Sequence, residues 1–224
     1  MKYIYVLLLN ITMVLVSLTS CGQARQEDTK TATVMLQQNT VIGIIGSGNV
    51  GGTLGEKWAK AGYKVLFSSR HPEELTDLVK SAGNGAEAVS VEEAAKRGEI
   101  IVLAVPFMAE ATVSKQIQPF VKGKIVLLCD NAYPGRDGAI AEEAKRVGVA
   151  YYAQQHYYPE VALIRAFSSL PIATVARATA SNPVKIPYAA DNDRAKAIAE
   201  ELIRAANGTA EYVGKIADSR QLDY

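Results

Sequence analysis

Cysteine and histidine are both scarce in this chain, with two of each. Cys21 and Cys129 cannot build a disulfide framework, and neither CxxC nor any Cys/His metal-ligand spacing occurs. His71 and His156 stand too far apart in sequence to make a motif. Charge of one sign is missing as well: 24 Lys and Arg oppose 23 Asp and Glu, for a formal charge of +1. Without a basic footprint to track phosphates, no nucleic-acid partner is expected. Hydrophobic residues are 49% and charged residues 21% of the 224, which argues against disorder and fibrous repeats. No internal repeat is visible. What remains is a metal-free globular body of one domain or slightly more, with one unusual end.

That end is residues 1–20. Met1 and Lys2 make a short positive start, and Tyr3 to Leu18 form an apolar run broken by Asn10, Thr12 and Ser17. The run falls short of the ~20 residues of a comfortable membrane span but suits the core of a signal peptide. It ends in Leu18-Thr19-Ser20-Cys21-Gly22, which resembles the bacterial lipobox. The resemblance implies cleavage before Cys21 and acylation of that cysteine. The body would then be lipid-anchored on the periplasmic or external side of a bacterial membrane. An uncleaved anchor with the body on the cytoplasmic face is the alternative. Residues 21–39 are polar and poorly periodic, and read as a tether.

The pattern changes at Val41. Val41 to Ile45 is an apolar β-run, followed by Gly46-Ser47-Gly48-Asn49-Val50-Gly51. In this GxGxxG, Gly46 suits a tight turn, Gly48 lets backbone approach a pyrophosphate, and Gly51 lets a helix pack closely on the strand. A helix from about Asn49 to Ala61 would aim free N–H groups at phosphates. A second strand follows at Tyr63 to Ser68, so the motif has its full context. That strand ends in Ser68-Ser69-Arg70-His71, with no carboxylate before Glu73. An acid there would hold an NAD ribose; hydroxyls and a guanidinium suit the 2′-phosphate of NADP(H). His71 is open between an adenine or phosphate contact and no role at all.

Alternation continues through a helix around Pro72–Ser81, a short strand near Val89, a helix over Val91–Arg97 and an apolar strand over Glu99–Pro106. Further strands are read at Lys124–Leu128, Val161–Phe167 and Ile186–Ala190. Asp137 is read as the cap of a helix ending near Val147. Asp191 is read as the cap of an amphipathic helix carrying Ala195, Ile198, Leu202 and Ala206, stopped by Gly208. The predicted fold is α/β, a Rossmann-type doubly wound and mainly parallel sheet with helices on both faces and a short C-terminal extension. Residues 40–224 form this NADP-binding domain.

Several motifs stand in one order: the glycine loop, Ser69-Arg70, Ala104-Val105-Pro106-Phe107, Asn131 to Gly138, Arg165-Ala166-Phe167, and Ile186-Pro187 before Asp191. This set resembles the NADP oxidoreductases related to the coenzyme F420-dependent reductases, over roughly Val41 to Tyr224. The resemblance implies pyrophosphate binding by Ser47, Gly48, Asn49 and Val50, and 2′-phosphate binding by Ser69 and Arg70. Val105 and Pro106 would lie near the nicotinamide ribose, with Asn131 and Ala166 edging the nicotinamide and second substrate. The implied reaction is hydride transfer between NADPH and a deazaflavin, flavin or other small acceptor. Asn131-Ala132 replaces the family's commoner Asn-Pro, Ser168 stands where Asn often follows Ala-Phe, and Glu74 where a basic residue can assist.

Hydride transfer between stacked rings demands orientation more than acid–base groups. If the acceptor needs a proton, His156 and Tyr133 are the candidates. Cys129 reads as a buried small hydrophobe. The tyrosines at 151, 152, 157 and 158 read as packing, or less readily as a ring-binding pocket. An exported domain would meet little reduced NADP, so a non-catalytic nucleotide- or metabolite-binding lipoprotein stays open as the rival, as does a ferric or flavin reductase. The expected partners are a small-molecule acceptor and the membrane through the lipid anchor only, with homodimerisation left open.

Overall fold

The computed structural model describes Leu36 and residues 39–224. The expected signal peptide, the expected lipidation cysteine Cys21 and nearly all of the expected tether lie outside the described residues. The body begins β1 (Val41–Ile45), α1 (Asn49–Lys60), β2 (Lys64–Ser68), a 3₁₀ turn (Pro72–Leu75) leading into α2 (Thr76–Ala82), and β3 (Glu87–Val89). It continues through α3 (Val91–Arg97), β4 (Ile100–Leu103), α4 (Phe107–Val121), β5 (Ile125–Leu128), α5 (Pro134–Asp137), α6 (Ala139–Val147) and α7 (Val149–His156). The last elements are β6 (Ala162–Ala166), α8 (Ile172–Arg177), β7 (Val184–Ala190), α9 (Asp193–Ala205), β8 (Gly208–Gly214) and a 3₁₀ segment (Ile216–Leu222).

One eight-stranded sheet runs β3-β2-β1-β4-β5-β6-β7-β8. The first six strands are parallel, in the doubly wound Rossmann order. β7 is antiparallel to β6, and β8 is parallel to β7. The continuous apolar runs follow from this layering. Ile42, Ile44, Val102 and Leu127 face one side, packed with Leu54 and Trp58 of α1 and Leu202 of α9. Ile45, Leu103, Val126 and Leu128 face the other, against α3, α4 and α7. A parallel strand covered on both faces favours apolar side chains at successive positions.

Some expectations are corrected. Asp137 does not cap the following helix: it ends α5, and Gly138 with φ 71° occupies the cap of α6. Nor does Asp191 cap α9. Asn192 does, accepting from Ala195 N at 2.9 Å, while Asp191 accepts from Gln154 and Ile216. That helix closes at Ala206, Asn207 takes the left-handed turn with φ 61°, and Gly208 opens an eighth strand the sequence did not announce. No described helix is long and apolar enough to cross a membrane.

Candidate functional site

The order of the sheet reverses between β1 and β4, and an open α/β sheet forms its ligand crevice at such a point, beyond the carboxyl ends of the strands. Gly46 leaves β1 with φ 95°, and a Cβ there would stand 2.6 Å from the Ala104 carbonyl oxygen. Gly46 N, Ser47 N and Ser47 Oγ all donate to Ser68 O, at 3.1, 3.1 and 3.0 Å. One carbonyl at the end of β2 thus pins the loop and brings Ser69 and Arg70 beside it. Gly51 serves packing: its Cβ would meet the Gly46 carbonyl at 2.1 Å. Gly48 differs, since a Cβ there has nothing within 4 Å and would project into open space. As the cap of α1 it offers no side chain to the helix's free N–H groups, and no acid stands in the first turn.

Gly46, Ser47, Gly48, Ser69, Arg70, Val105 and Pro106 line one cleft of about 500 Å³. Asn49, Val50 and Asn131 line an adjoining hollow of about 230 Å³, which shares Val105 and Pro106 with the first. Eleven of the twelve expected cofactor-site residues therefore lie in this region, counting Gly51 beneath the loop. The exception is Ala166, which is buried in the core and lines neither hollow. Asn131 reaches the hollow, but its amide is already engaged. Its Oδ1 accepts from Arg165 Nη2 at 2.9 Å and Tyr224 N at 3.3 Å, and its Nδ2 donates to Ser168 O at 2.8 Å. It shapes the wall and holds the C-terminal segment more than it offers a hydrogen bond to a ligand.

Of the two proton-donor candidates, Tyr133 lines the smaller hollow, with the Arg136 guanidinium 4.9 Å above its ring centre. His156 does not reach it. His156 stacks on Tyr152 at 4.2 Å and lines a separate groove between α4 and the loop after α7. Tyr152 and Tyr157 pack on Phe107, at 5.9 and 6.4 Å, so these aromatics serve the crossover before β6. His71 pairs with Glu73 at 3.2 Å, outside the cleft. Asp137 accepts from Tyr133 N, Met108 N and Arg136, fixing the start of α4 against the loop after β5. Its burial favours the neutral acid, but Arg136 and the two N–H groups hold its carboxyl below the usual range.

Beneath the smaller hollow lies a buried polar cluster absent from the sequence reading. Arg165 of β6 is 0% exposed. Its Nη1 donates to Asp130 O at 2.5 Å and lies 3.4 Å from Asp130 Oδ1; its Nη2 donates to Asp223 Oδ1 at 2.8 Å. Glu110 of α4 is also 0% exposed, with the Tyr158 hydroxyl beside its carboxyl but no well-formed hydrogen bond to either oxygen from a described residue. Burial, then the charge of Asp130, lifts the Glu110 carboxyl well above the usual range, against the pull of Arg165. Burial raises Asp130 to about 6, again against Arg165. Tyr158 is pushed far up by burial and by Glu110, and Cys129 by burial. Two signals were available: Glu110 is the one acid in the stripe Phe107-Glu110-Ser114-Ile117-Val121, and Arg165 interrupts a buried strand.

Residues 41–131 match the family model described as NADP oxidoreductase, coenzyme F420-dependent. Solved structures share the fold at low identity. A hypothetical protein from Sinorhizobium meliloti is 23% identical with a TM-score of 0.69, over 81% of this chain and 87% of that one. A protein designated an F420-dependent NADP-reductase, from Arthrobacter sp. FB24, is 16% identical with a TM-score of 0.70, over 82% and 88%. An imine reductase from Myxococcus stipitatus, in complex with NADP⁺, is 18% identical with a TM-score of 0.59. That match covers 81% of this chain but 57% of the reductase. The chain therefore has the Rossmann-like fold of these proteins, and its residues 41–131 are similar to the NADP oxidoreductase family.

Proposed function

We propose that this chain is an NADP(H)-dependent oxidoreductase that transfers a hydride between NADPH and a deazaflavin-type, flavin-type or other small acceptor. The observation that carries the reading is the convergence of the Gly46–Gly48 turn and Ser69-Arg70 on one cleft, with the start of α1 on the hollow that adjoins it. Gly48 leaves the space that a pyrophosphate would need, and the first turn of α1 presents N–H groups without a competing side-chain acceptor. Ser69 and Arg70 would hold the 2′-phosphate, with Arg70 exposed at the cleft wall. Val105 and Pro106, between the two hollows, would support the nicotinamide end. The bound cofactor supplies the hydride; this chain's residues orient it and wall off one face. The family match over residues 41–131 supports the same cofactor.

Titration of the protein with NADPH and NADH, followed by reduced-nicotinamide fluorescence, tests this reading. A charge-assisted bond to phosphate contributes ~1.5–3 kcal/mol, so Arg70→Ala should weaken NADPH roughly 10- to 150-fold and leave NADH nearly unchanged. Equal affinities for the two nucleotides, unmoved by that substitution, would refute it. We further propose that Cys21 is acylated and tethers the body to the external or periplasmic side of a bacterial membrane. Detergent-phase partitioning that survives Cys21→Ala would count against the lipid.

A further inference from the structure

The 3₁₀ segment Ile216–Leu222 and the residues after it reach the wall of the smaller hollow from behind. Ile216 and Leu222 are buried in the core that α4 and α7 cover, and Ser168 Oγ donates to Leu222 O at 2.9 Å. Asp223 follows, its side chain 5% exposed. Both carboxylate oxygens are used. Oδ1 accepts from Arg165 Nη2 at 2.8 Å, and Oδ2 accepts from Val149 N at 2.9 Å. Val149 opens α7, so the second bond satisfies one of that helix's free N–H groups. A single carboxylate thus ties the start of α7 to the buried guanidinium of β6.

Arg165 carries the tie onward to the hollow. Nη2 uses one hydrogen on Asp223 and the other on Asn131 Oδ1 at 2.9 Å, while Nη1 donates to Asp130 O at 2.5 Å. Asp130 and Asn131 both line the hollow beside Val105 and Pro106. Asn131 is fixed from its other sides as well. Tyr224 N donates to its Oδ1 at 3.3 Å, its Nδ2 donates to Ser168 O at 2.8 Å, and Arg136 Nη2 donates to its main-chain oxygen at 2.6 Å. A neutral amide at position 223 cannot replace the carboxylate. Arg165 Nη2 and Val149 N are both donors, and an amide offers its oxygen to only one of them. The bond left unmade lies in a buried site, so the guanidinium turns or the segment lifts, and Asn131 moves with either.

We infer that Asp223 is a positioning residue for the nicotinamide end of the cofactor: acting through Arg165, it holds the Asp130–Asn131 wall of the smaller hollow. This inference rests on the cofactor reading above. Gly46, Ser47, Ser69 and Arg70 stand at the ends of β1 and β2, and among the described residues none of them bonds to this network. The two ends of the cofactor are therefore held by separate sets of bonds, and Asp223 acts on one of them alone.

The test uses the full chain and two ligands, NADPH and adenosine 2′,5′-bisphosphate, which keeps the 2′-phosphate and lacks the nicotinamide half. Calorimetric titration gives both affinities, and the emission of bound NADPH reports on the hollow itself. The wild type should bind NADPH more tightly than the bisphosphate, with blue-shifted emission. Asp223→Asn should keep bisphosphate affinity within about threefold, weaken NADPH at least ~10-fold and return its emission toward that in water. A merely structural residue would weaken the two ligands together, in proportion to the fraction unfolded. Asn131→Ala cuts the wall from Arg165 and spares the ion pair of Arg165 with Asp223. It should give the same split, and it decides the question if Asp223→Asn does not fold. Equal weakening of both ligands, unchanged NADPH binding, or a wild type that binds NADPH no better than the bisphosphate would overturn the inference. Bisphosphate binding that still depends on Arg70 would in each case uphold the cofactor cleft. A wild type that binds neither ligand would overturn the cofactor reading and this inference together.

Discussion

Arg165→Met removes the one cation of the buried cluster while nearly keeping its length, so cavity effects are small and the electrostatic consequence dominates. The substitution leaves Asp130, Asn131 and Asp223 without their shared donor. Removing one partner of a buried ion pair costs about 3–5 kcal/mol, a large part of the ~5–15 kcal/mol that stabilises a typical domain. The pH dependence is the sharper test. In the wild type, Asp130 titrates near 6 when folded, above its ordinary value, with Arg165 opposing the rise. A carboxyl raised on folding lends stability at low pH that is lost as pH climbs through the folded value. Without Arg165 the carboxyl stays protonated to higher pH, so the variant keeps losing stability after the wild type has finished. The deficit should therefore be smallest near pH 4–5 and grow by about 1.4 kcal/mol per pH unit while the variant binds one proton more than the wild type. Urea unfolding at pH 5 and pH 8, compared at matched m-values, reads it. A deficit that is equal at both pH values, larger at pH 5, or below ~1 kcal/mol at pH 8 would refute the argument.

The loop glycines separate cofactor space from packing. Gly48→Ala places a methyl in open cleft and should cost at most ~1 kcal/mol of stability, yet weaken NADPH at least tenfold by fluorescence titration. Gly51→Ala drives a Cβ to 2.1 Å from a backbone oxygen and should cost about 3 kcal/mol or more in urea unfolding. Glu110→Gln replaces an acid already held neutral. It should match the wild type near pH 5 and become the more stable protein as pH rises, because glutamine has no proton to lose. Trp58→Phe removes the indole bond to Leu202 O at 2.9 Å that ties α1 to α9. Its expected cost is ~1–3 kcal/mol with NADPH affinity unchanged.

The parts of this protein that were legible in sequence are those whose physics is local. A glycine turn needs its glycines within six residues, and Ser69-Arg70 follows the second strand directly, so both could be read in place. Strands β1, β4 and β5 announced themselves as unbroken apolar runs because helices cover both faces of the sheet. Errors of one position arose where neighbours share a propensity. Asp191 and Asn192 are both good cap formers, and only the backbone, with Asn192 at φ −146° and ψ 169°, decides between them. Asn207 and Gly208 compete in the same way for the left-handed turn, and the asparagine takes it.

What escaped is long-range by nature. Arg165 and Asp223 are 58 residues apart, and Arg165 and Asn131 34 apart, so no window contains the cluster. Its members were each visible as local misfits: an arginine inside a buried strand, and a glutamate in the apolar stripe of α4. A single misfit is ordinarily an exposed residue or an edge, and only the fold shows that both of these are buried in one charged neighbourhood. The cost of burying them is offset within the cluster, whose remaining frustration lies in the oxygens of Glu110 and Asp130. Of these two acids Asp130 borders the hollow beside Val105 and Pro106, with its carboxyl buried, whereas Ala166, a site residue implied by resemblance, turns into the core. The end of this crevice proposed for the cofactor is thus written in contiguous motifs. The buried cluster beneath it is built by side chains from α4, β6, the C-terminal segment and the loop after β5, and must be read from the three-dimensional arrangement of their charges.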